Sequence, residues 1–258
     1  MTGSTVPPRP SGPIEAVSVI LPVHDEEETV AAAVRSIAGA ARALTVPVSL
    51  TVVFDRCSDA SETRVAEVVG SPGACGRLEV RTMSGYFPHI GAVRNAGVAD
   101  ATTWGAVAGV PLHRHWTAHT DADSVVPPHW LRTQLEDADA GYGLVTGTVV
   151  PDEPPGTPAA RQWAAHHTLG EGHTSVHGAN LGVRLDLLLA VGGFVDVAVG
   201  EDVRTVALLK DMGVPWTATD RGRVLTSARR TGRIVDGFAG YLRTCDGSAG
   251  SDEPPVGT

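Results

Sequence analysis

Cysteine is scarce in this 258-residue chain, and the three that occur, Cys57, Cys75 and Cys245, have neither metal-ligand nor redox spacing. An odd, unspaced set excludes a disulfide scaffold and fits a reducing compartment. Long apolar runs are also missing. The most apolar stretch, Leu185 to Val199, is interrupted by Asp186, Gly192-Gly193 and Asp196, so no membrane span is expected. There is no excess of positive charge: the formal net charge is −9, which argues against a nucleic-acid polymer as partner. A small anionic ligand stays open, because a local arginine cluster can oppose the global sign. Met1 to Pro8 lacks a basic region followed by an apolar core, so no secretory signal is expected and the protein is placed in the cytoplasm.

What is present reads as a globular α/β domain, with 42% hydrophobic and 19% charged residues. Residues 1–15 and 247–258, rich in Pro, Gly, Ser and Thr, are expected to be disordered tails around a folded unit at 16–246. Val17 to Val23 and Val48 to Phe54 read as buried strands, each followed by a helical segment, from about Glu28 to Ala43 and from a Ser58-Asp59 cap to about Val69. Two such units imply a parallel sheet. Leu78 to Thr82, Trp116 to Thr120 and Gly143 to Val150 add strands, and further helices are expected near Pro88 to Gly97, after Pro128, at Leu185 to Val191 and at Glu201 to Met212. Pro151 to Pro158 reads as turns, and Trp216 to Arg233 as one or two strands and an arginine-bearing loop. Trp104, Trp163 and Trp216 read as core residues.

The chemistry is concentrated where the strand at Trp116 to Thr120 runs into Asp121-Ala122-Asp123. Carboxylates at a strand's C-terminal end lie where open α/β sheets bind ligands. Two such oxygens, with water or phosphate completing the shell, suit Mg²⁺ or Mn²⁺. The chain contains its own control. Asp137-Ala138-Asp139 repeats the letters at the end of a helical pattern and reads as a solvated helix terminus.

Several short pieces occur in one order: Val19-Ile20-Leu21-Pro22-Val23-His24-Asp25-Glu26-Glu27, Asp55 with Asp59, Arg94-Asn95-Ala96-Gly97, Thr120 to Ser124, Pro128-His129-Trp130-Leu131, His177 to Arg184, Gly192-Gly193-Phe194 and Gly200-Glu201-Asp202. As a set they resemble the family 2 glycosyltransferases of GT-A fold, with the closest likeness to small soluble bacterial members. The resemblance implies one domain with a mainly parallel central sheet flanked by helices. A nucleotide-binding half would span about 16–123 and an acceptor half about 124–246. It also implies roles. Pro22, His24, Asp25, Glu26 and Asp55 would hold the base and ribose, with Arg94 near the nucleotide. Asp121, Ala122 and Asp123 would meet the donor, and Asp121 and Asp123 would hold Mn²⁺ or Mg²⁺ on the diphosphate. Gly178, Ala179 and Asn180 would also line the donor site. Asp202, or its neighbour Glu201, would deprotonate the acceptor hydroxyl, and Arg229 and Arg230 would close over the leaving diphosphate. The donor would be a UDP- or GDP-linked sugar and the transfer would invert the anomeric carbon.

Two departures from the family pattern stand out: Arg56-Cys57 where small residues are common, and no histidine after His177 to complete a metal shell. A retaining transferase, a sugar-nucleotide pyrophosphorylase or a catalytically silent nucleotide-sugar-binding protein are the alternatives. Retention of Asp121, Asp123 and Asp202 speaks against silence. The acidic loop after the first strand speaks against the pyrophosphorylase, which needs a basic phosphate loop there. His166, His167, His173 and His177 read as acceptor contacts or plain surface rather than a zinc site, because Gly172 and Gly178 oppose a rigid helix.

Overall fold

The computed structural model describes residues 12–154 and 156–227. Arg229, Arg230, Arg233, Cys245 and both predicted tails, apart from residues 12–15, lie outside them.

The first strands form because their β-branched runs bury both faces, as parallel strands covered by helices do. β1 (Ala16–Val23) and β2 (Val48–Asp55) are buried along their whole length, and β3 (Glu79–Gly85) pairs with β2 at a half-exposed edge. β4 (His115–His119) lies parallel to β1 on its other side. Beyond it come β5 (Ser124–Val125), β6 (Leu144–Pro151), β7 (Leu181–Arg184) and β8 (Trp216–Thr226). The sheet order is β3-β2-β1-β4-β7-β6-β8-β5. β7 is antiparallel to both β4 and β6, so direction reverses there and resumes in the parallel β6–β8 pair.

The alternation of side chains along β1 supplies two cores. Val17, Val19, Leu21 and Val23 pack with Val30, Val34 and Ile37 of α1 (Val30–Ala41). Ile20 faces the other way, into a cluster with Val98 of α3 (Ile90–Val107), Phe194, and Val206 and Leu209 of α7 (Glu201–Asp211). Gly97 lets α3 lie against the strand: a Cβ there would stand 2.6 Å from Ile20 Cγ2. The remaining helices are α2 (Ser61–Gly70), α4 (Trp130–Asp139), α5 (Pro158–His166) and α6 (Leu185–Ala190).

Several local expectations are corrected. α1 starts at Val30, after a turn in which Thr29 and Val30 donate to the Glu26 carbonyl. α5 occupies part of the segment read as turns and histidines; Thr157 caps it by accepting from Ala160 N at 3.1 Å, with Pro158 at its first turn. The short strands β5 and β7 were not foreseen. Trp216 is 42% exposed, not core, and carries Lys210 Nζ over its ring at 3.4 Å. Asp137, read as solvated, is buried and paired with Arg221.

Candidate active site

The parallel strands β1, β2 and β4 deliver their C-terminal ends to one edge of the sheet. The loops after β1 and β2 are stitched together by carboxylates. Asp25 Oδ1 accepts from Ser58 N at 2.6 Å, Ser58 Oγ at 3.2 Å and Asp59 N at 3.2 Å. These bonds, led by the Ser58 amide, hold its pKa below the usual carboxylate value. Asp59 accepts from Glu27 N and Ser61 N, Glu27 from Ala60 N, and Ser61 Oγ from Glu26 N. Glu26 also accepts from Thr29 Oγ1 at 2.7 Å. Asp25 (φ 50°) and Arg56 (φ 51°) face this junction and, among the described residues, are the non-glycine residues in the left-handed region. Pro22 lies within β1, paired with Val53.

Asp55 is 7% exposed, and its carboxylate is largely engaged. Arg56 donates twice, Nε to Oδ1 at 3.0 Å and Nη2 to Oδ2 at 2.8 Å, and Phe87 N donates to Oδ1 at 3.0 Å. His24 Nδ1 is 2.5 Å from the Asp55 carbonyl, which fixes the ring over the end of β2. The sequence placed Asp55 correctly at the strand end. Its reading missed that Arg56 covers the carboxylate a base would meet.

The centre of the site is Arg94, in the second turn of α3 and 2% exposed. Its Nη2 donates to Asp121 Oδ1 at 2.6 Å and its Nε to Glu201 Oε1 at 3.3 Å, while the guanidinium lies 5.7 Å from the centre of the Phe194 ring. Burial penalises its charge, but Asp121, Glu201 and Asp202 outweigh that and raise its pKa. Burial raises Glu201 above the usual carboxylate value, with Arg94 opposing. Gly178 is required beside this pair, since a Cβ would stand 2.5 Å from Arg94 Nη2. The next residue, Asn95, exchanges bonds with the backbone of Phe194 and so ties the Gly193-Phe194 turn to α3. His119, buried at the end of β4, meets Phe194 edge-on at 4.7 Å; burial and the charge of Arg94 hold its pKa far below the ordinary value, so the ring is neutral. Phe194, His119 and Arg56 had been given no role from the sequence, although each lies in or beside a quoted piece.

Asp202 opens α7 with Glu201 after the left-handed Gly200, where two carboxylates suit the helix N-terminus. Its Oδ2 accepts from Gly178 N at 2.6 Å and its Oδ1 from Val203 N at 2.7 Å, which fixes its orientation. Gly178 and Asp202 therefore meet although they lie on different elements. Asn180, expected at the donor, spends its amide in the core: Oδ1 accepts from Trp130 Nε1 at 2.8 Å, and Nδ2 donates to the Thr148 and Gly222 carbonyls. Ala122 and Ala179 are buried and offer backbone only.

Asp121 keeps 39% of its side chain exposed, and Asp123 is half-buried, with Ser124 Oγ and Thr226 Oγ1 at 3.4 and 3.5 Å from its Oδ1. A cavity of about 370 Å³ opens beside Asp123, between Glu28 and Thr29 on one side and Asp152, Thr226 and Ser227 on the other. These hard oxygen donors suit a divalent cation that takes its remaining ligands from water or phosphate. Among the described residues, the group that brings three potential ligand atoms together is Asp25, Cys57 and Asp59. There the carboxylates already accept backbone N–H groups, and burial raises the Cys57 thiol, so the cluster is knitted as a loop junction.

A mainly parallel α/β sheet with carboxylates at the C-terminal ends of its parallel strands defines a class, and likeness to known proteins defines the family. Residues 18–183 match the family described as Glycosyl transferase family 2. The chain belongs to that family and carries a glycosyltransferase domain. It is 30% identical over 137 residues to undecaprenyl-phosphate 4-deoxy-4-formamido-L-arabinose transferase of Serratia proteamaculans, covering 53% of this chain and 37% of that protein. The fold matches S. aureus TarS 1-349 in complex with UDP-GlcNAc with a TM-score of 0.64 at 13% identity, over 86% of this chain and 61% of that one. It also matches the mannosyltransferase PcManGT from Pyrobaculum calidifontis, in complex with GDP-Man and Mn²⁺, at 0.62 and 16%, over 88% and 61%. The chain thus spans 37% of the curated relative and 61% of each of the two solved chains, less than two thirds in every case, and the likeness to the two structures establishes the GT-A fold. Among the described residues no helix is long and apolar enough to cross a membrane.

Proposed function

We propose that the protein transfers a sugar from a UDP- or GDP-linked donor to an acceptor hydroxyl with inversion, in a metal-dependent reaction. The observation that carries this is the chain of contacts Asp121–Arg94–Glu201 with Asp202 alongside, which joins the candidate metal edge to the candidate base across one buried guanidinium. Residues 16–123 form the donor half and 124–246 the acceptor half. Asp121 and Asp123 hold Mn²⁺ or Mg²⁺, whose charge stabilises the diphosphate as it leaves. His24, Asp25, Glu26, Asp55 and Arg56 surround the base and ribose, and Arg229 and Arg230 meet the diphosphate from outside the described residues. Arg94 keeps Asp121 in place. Asp202, its carboxylate oriented by Gly178 N–H, takes the proton of the attacking hydroxyl. Glu201 is engaged by Arg94, which leaves that task to Asp202. The unspaced cysteines suit a cytoplasmic setting.

The test is a pair of variants assayed for transfer. Asp202→Asn should lower the rate about 10²-fold or more with little change in donor affinity. Glu201→Gln should keep the acidic limb of the pH–rate profile that Asp202→Asn loses. Full activity in Asp202→Asn would refute the assignment of the base, and a profile lost only in Glu201→Gln would exchange the two roles.

A further inference from the structure

A second group of polar side chains ends at His177, one residue before the Gly178 whose N–H holds Asp202. The segment leading from α5 to β7 carries His167, His173 and His177. The His167 ring lies flat on the Trp163 indole, with centroids 4.4 Å apart and 2° between the planes, and its Nδ1 is 2.9 Å from the Trp163 carbonyl. The His177 ring is 6.1 Å from that of His167. His173 is 4% exposed with neither ring nitrogen partnered, and Trp163, 3% exposed, has an unpartnered indole N–H. Buried polar atoms without partners are costly and few in folded proteins. Here they belong to one run of rings, with Trp163 stacked on His167, His167 near His177, and His177 near His173.

The segment is anchored at both ends. Gly172 N donates to the Ala218 carbonyl at 2.9 Å, and the Glu171 carboxylate accepts from Thr219 Oγ1 and Asp220 N. At the far end His177 precedes Gly178, whose N–H holds Asp202. His173 and His177 are therefore carried between two anchored points, the second of which holds Asp202. The three imidazoles do not bring their nitrogens within metal-ligand reach of one another. Burial, with His167 and His173 nearby, pushes His177 down to about 4, so this ring is uncharged at neutral pH. A neutral imidazole has one N–H and one bare nitrogen. Hydroxyl groups, each a donor and an acceptor, satisfy both, whereas a phosphate brings a negative charge that uncharged rings in a buried setting do not offset.

We propose that Trp163, His167, His173 and His177 form the binding surface for a neutral hydroxylated acceptor, a sugar or polyol ring, next to the hydroxyl that Asp202 deprotonates. This rests on the reading of Asp202 as the base. The probes are methyl glucoside, methyl mannoside and methyl galactoside, followed by saturation-transfer NMR on the full chain with diamagnetic Mg²⁺ and UDP or GDP. At least one glycoside should receive saturation, and the signal should fall about fivefold or more in His173→Phe, which keeps a ring but loses both nitrogens. Nucleotide affinity measured by calorimetry should not change. If His173→Phe does not melt cooperatively, the half-buried His177→Phe carries the same expectation. Absence of saturation from every glycoside, a signal that survives in the folded variants, or displacement by equimolar inorganic phosphate would overturn the proposal. Loss of nucleotide binding in the unmodified protein would instead count against the transferase reading.

Discussion

Replacing Arg94 by methionine probes the centre of the site. The guanidinium lies 3.3 Å from Glu201 and 2.6 Å from Asp121 and is almost wholly buried. At an effective dielectric of about 20, unit charges at the Glu201 distance attract by about 5 kcal/mol, most of which offsets the cost of burying them. Removing one partner leaves the other without that compensation, a loss of about 3–5 kcal/mol for a buried pair. Glu201, with 9% of its side chain exposed, carries this penalty; Asp121, at 39%, is rehydrated and adds little. Burial already raises the Glu201 carboxyl, and the variant removes the group that opposes this. A carboxyl raised on folding destabilises above its folded pKa and not below its unfolded one, so the loss should be largest near pH 8 and shrink towards about pH 4. Urea unfolding of Arg94→Met, Glu201→Gln and the double variant at both pH values measures it. The double variant should recover much of the loss at the higher pH. A loss under about 1 kcal/mol, or strict additivity of the two substitutions, would refute the reasoning.

Asp121→Ala and Asp123→Ala should each weaken Mn²⁺-dependent nucleotide binding in calorimetry with and without EDTA. Asp139→Ala should leave that binding intact and cost about 1 kcal/mol of stability through its bond from Ile14 N; equal effects at both motifs would remove the metal assignment. Gly97→Ala should destabilise by about 1–3 kcal/mol, because its Cβ meets Ile20, and an unchanged urea midpoint would show that α3 can retreat from β1. His115 and His177 are each pushed down to about 4, chiefly by burial. The unfolded chain therefore binds protons first, and stability present above about pH 6.5 should be lost as pH falls towards 4, by up to about 3 kcal/mol per ring. A thermal midpoint that stays flat across this window would contradict the buried neutral state.

What the sequence made legible follows from the range of the forces involved. β1 and β2 were readable because strands buried on both faces need uninterrupted apolar runs, and Asp55 and Asp121 were placed by where those runs stop. The two Asp-x-Asp pairs were separated correctly as strand end and helix end, but the burial of Asp137 depends on Arg221, which arrives from β8. β7 could not be read from its four residues. Its place depends on Gly182, where a Cβ would stand 2.4 Å from Gln134 Oε1 and 2.6 Å from the Trp116 ring, and neither is a sequence neighbour. Asn180 looked like a ligand group because of its position in a motif, yet three distant partners consume its amide. The cover that Arg56 places on Asp55 is local in sequence, but it needs a left-handed backbone that a non-glycine residue does not advertise.

The sheet order also bears on how the chain is made. β5 is complete by Val125, but its ladder partner is β8, where Ser124 pairs with Thr226 and Val125 with Leu225. A chain emerging from the ribosome at roughly 5–20 residues per second therefore holds this strand without its partner for several seconds. β4 waits similarly for β7, with Trp116 opposite Arg184. The stretch Asp121 to Ser124 is synthesised about a hundred residues before the strand that pairs with its end. Until β7 is made, β4 presents an unpaired edge of the kind that exposes nascent chains to misassembly, and a stalled or truncated product ending before β8 would leave β5 without its ladder partner permanently.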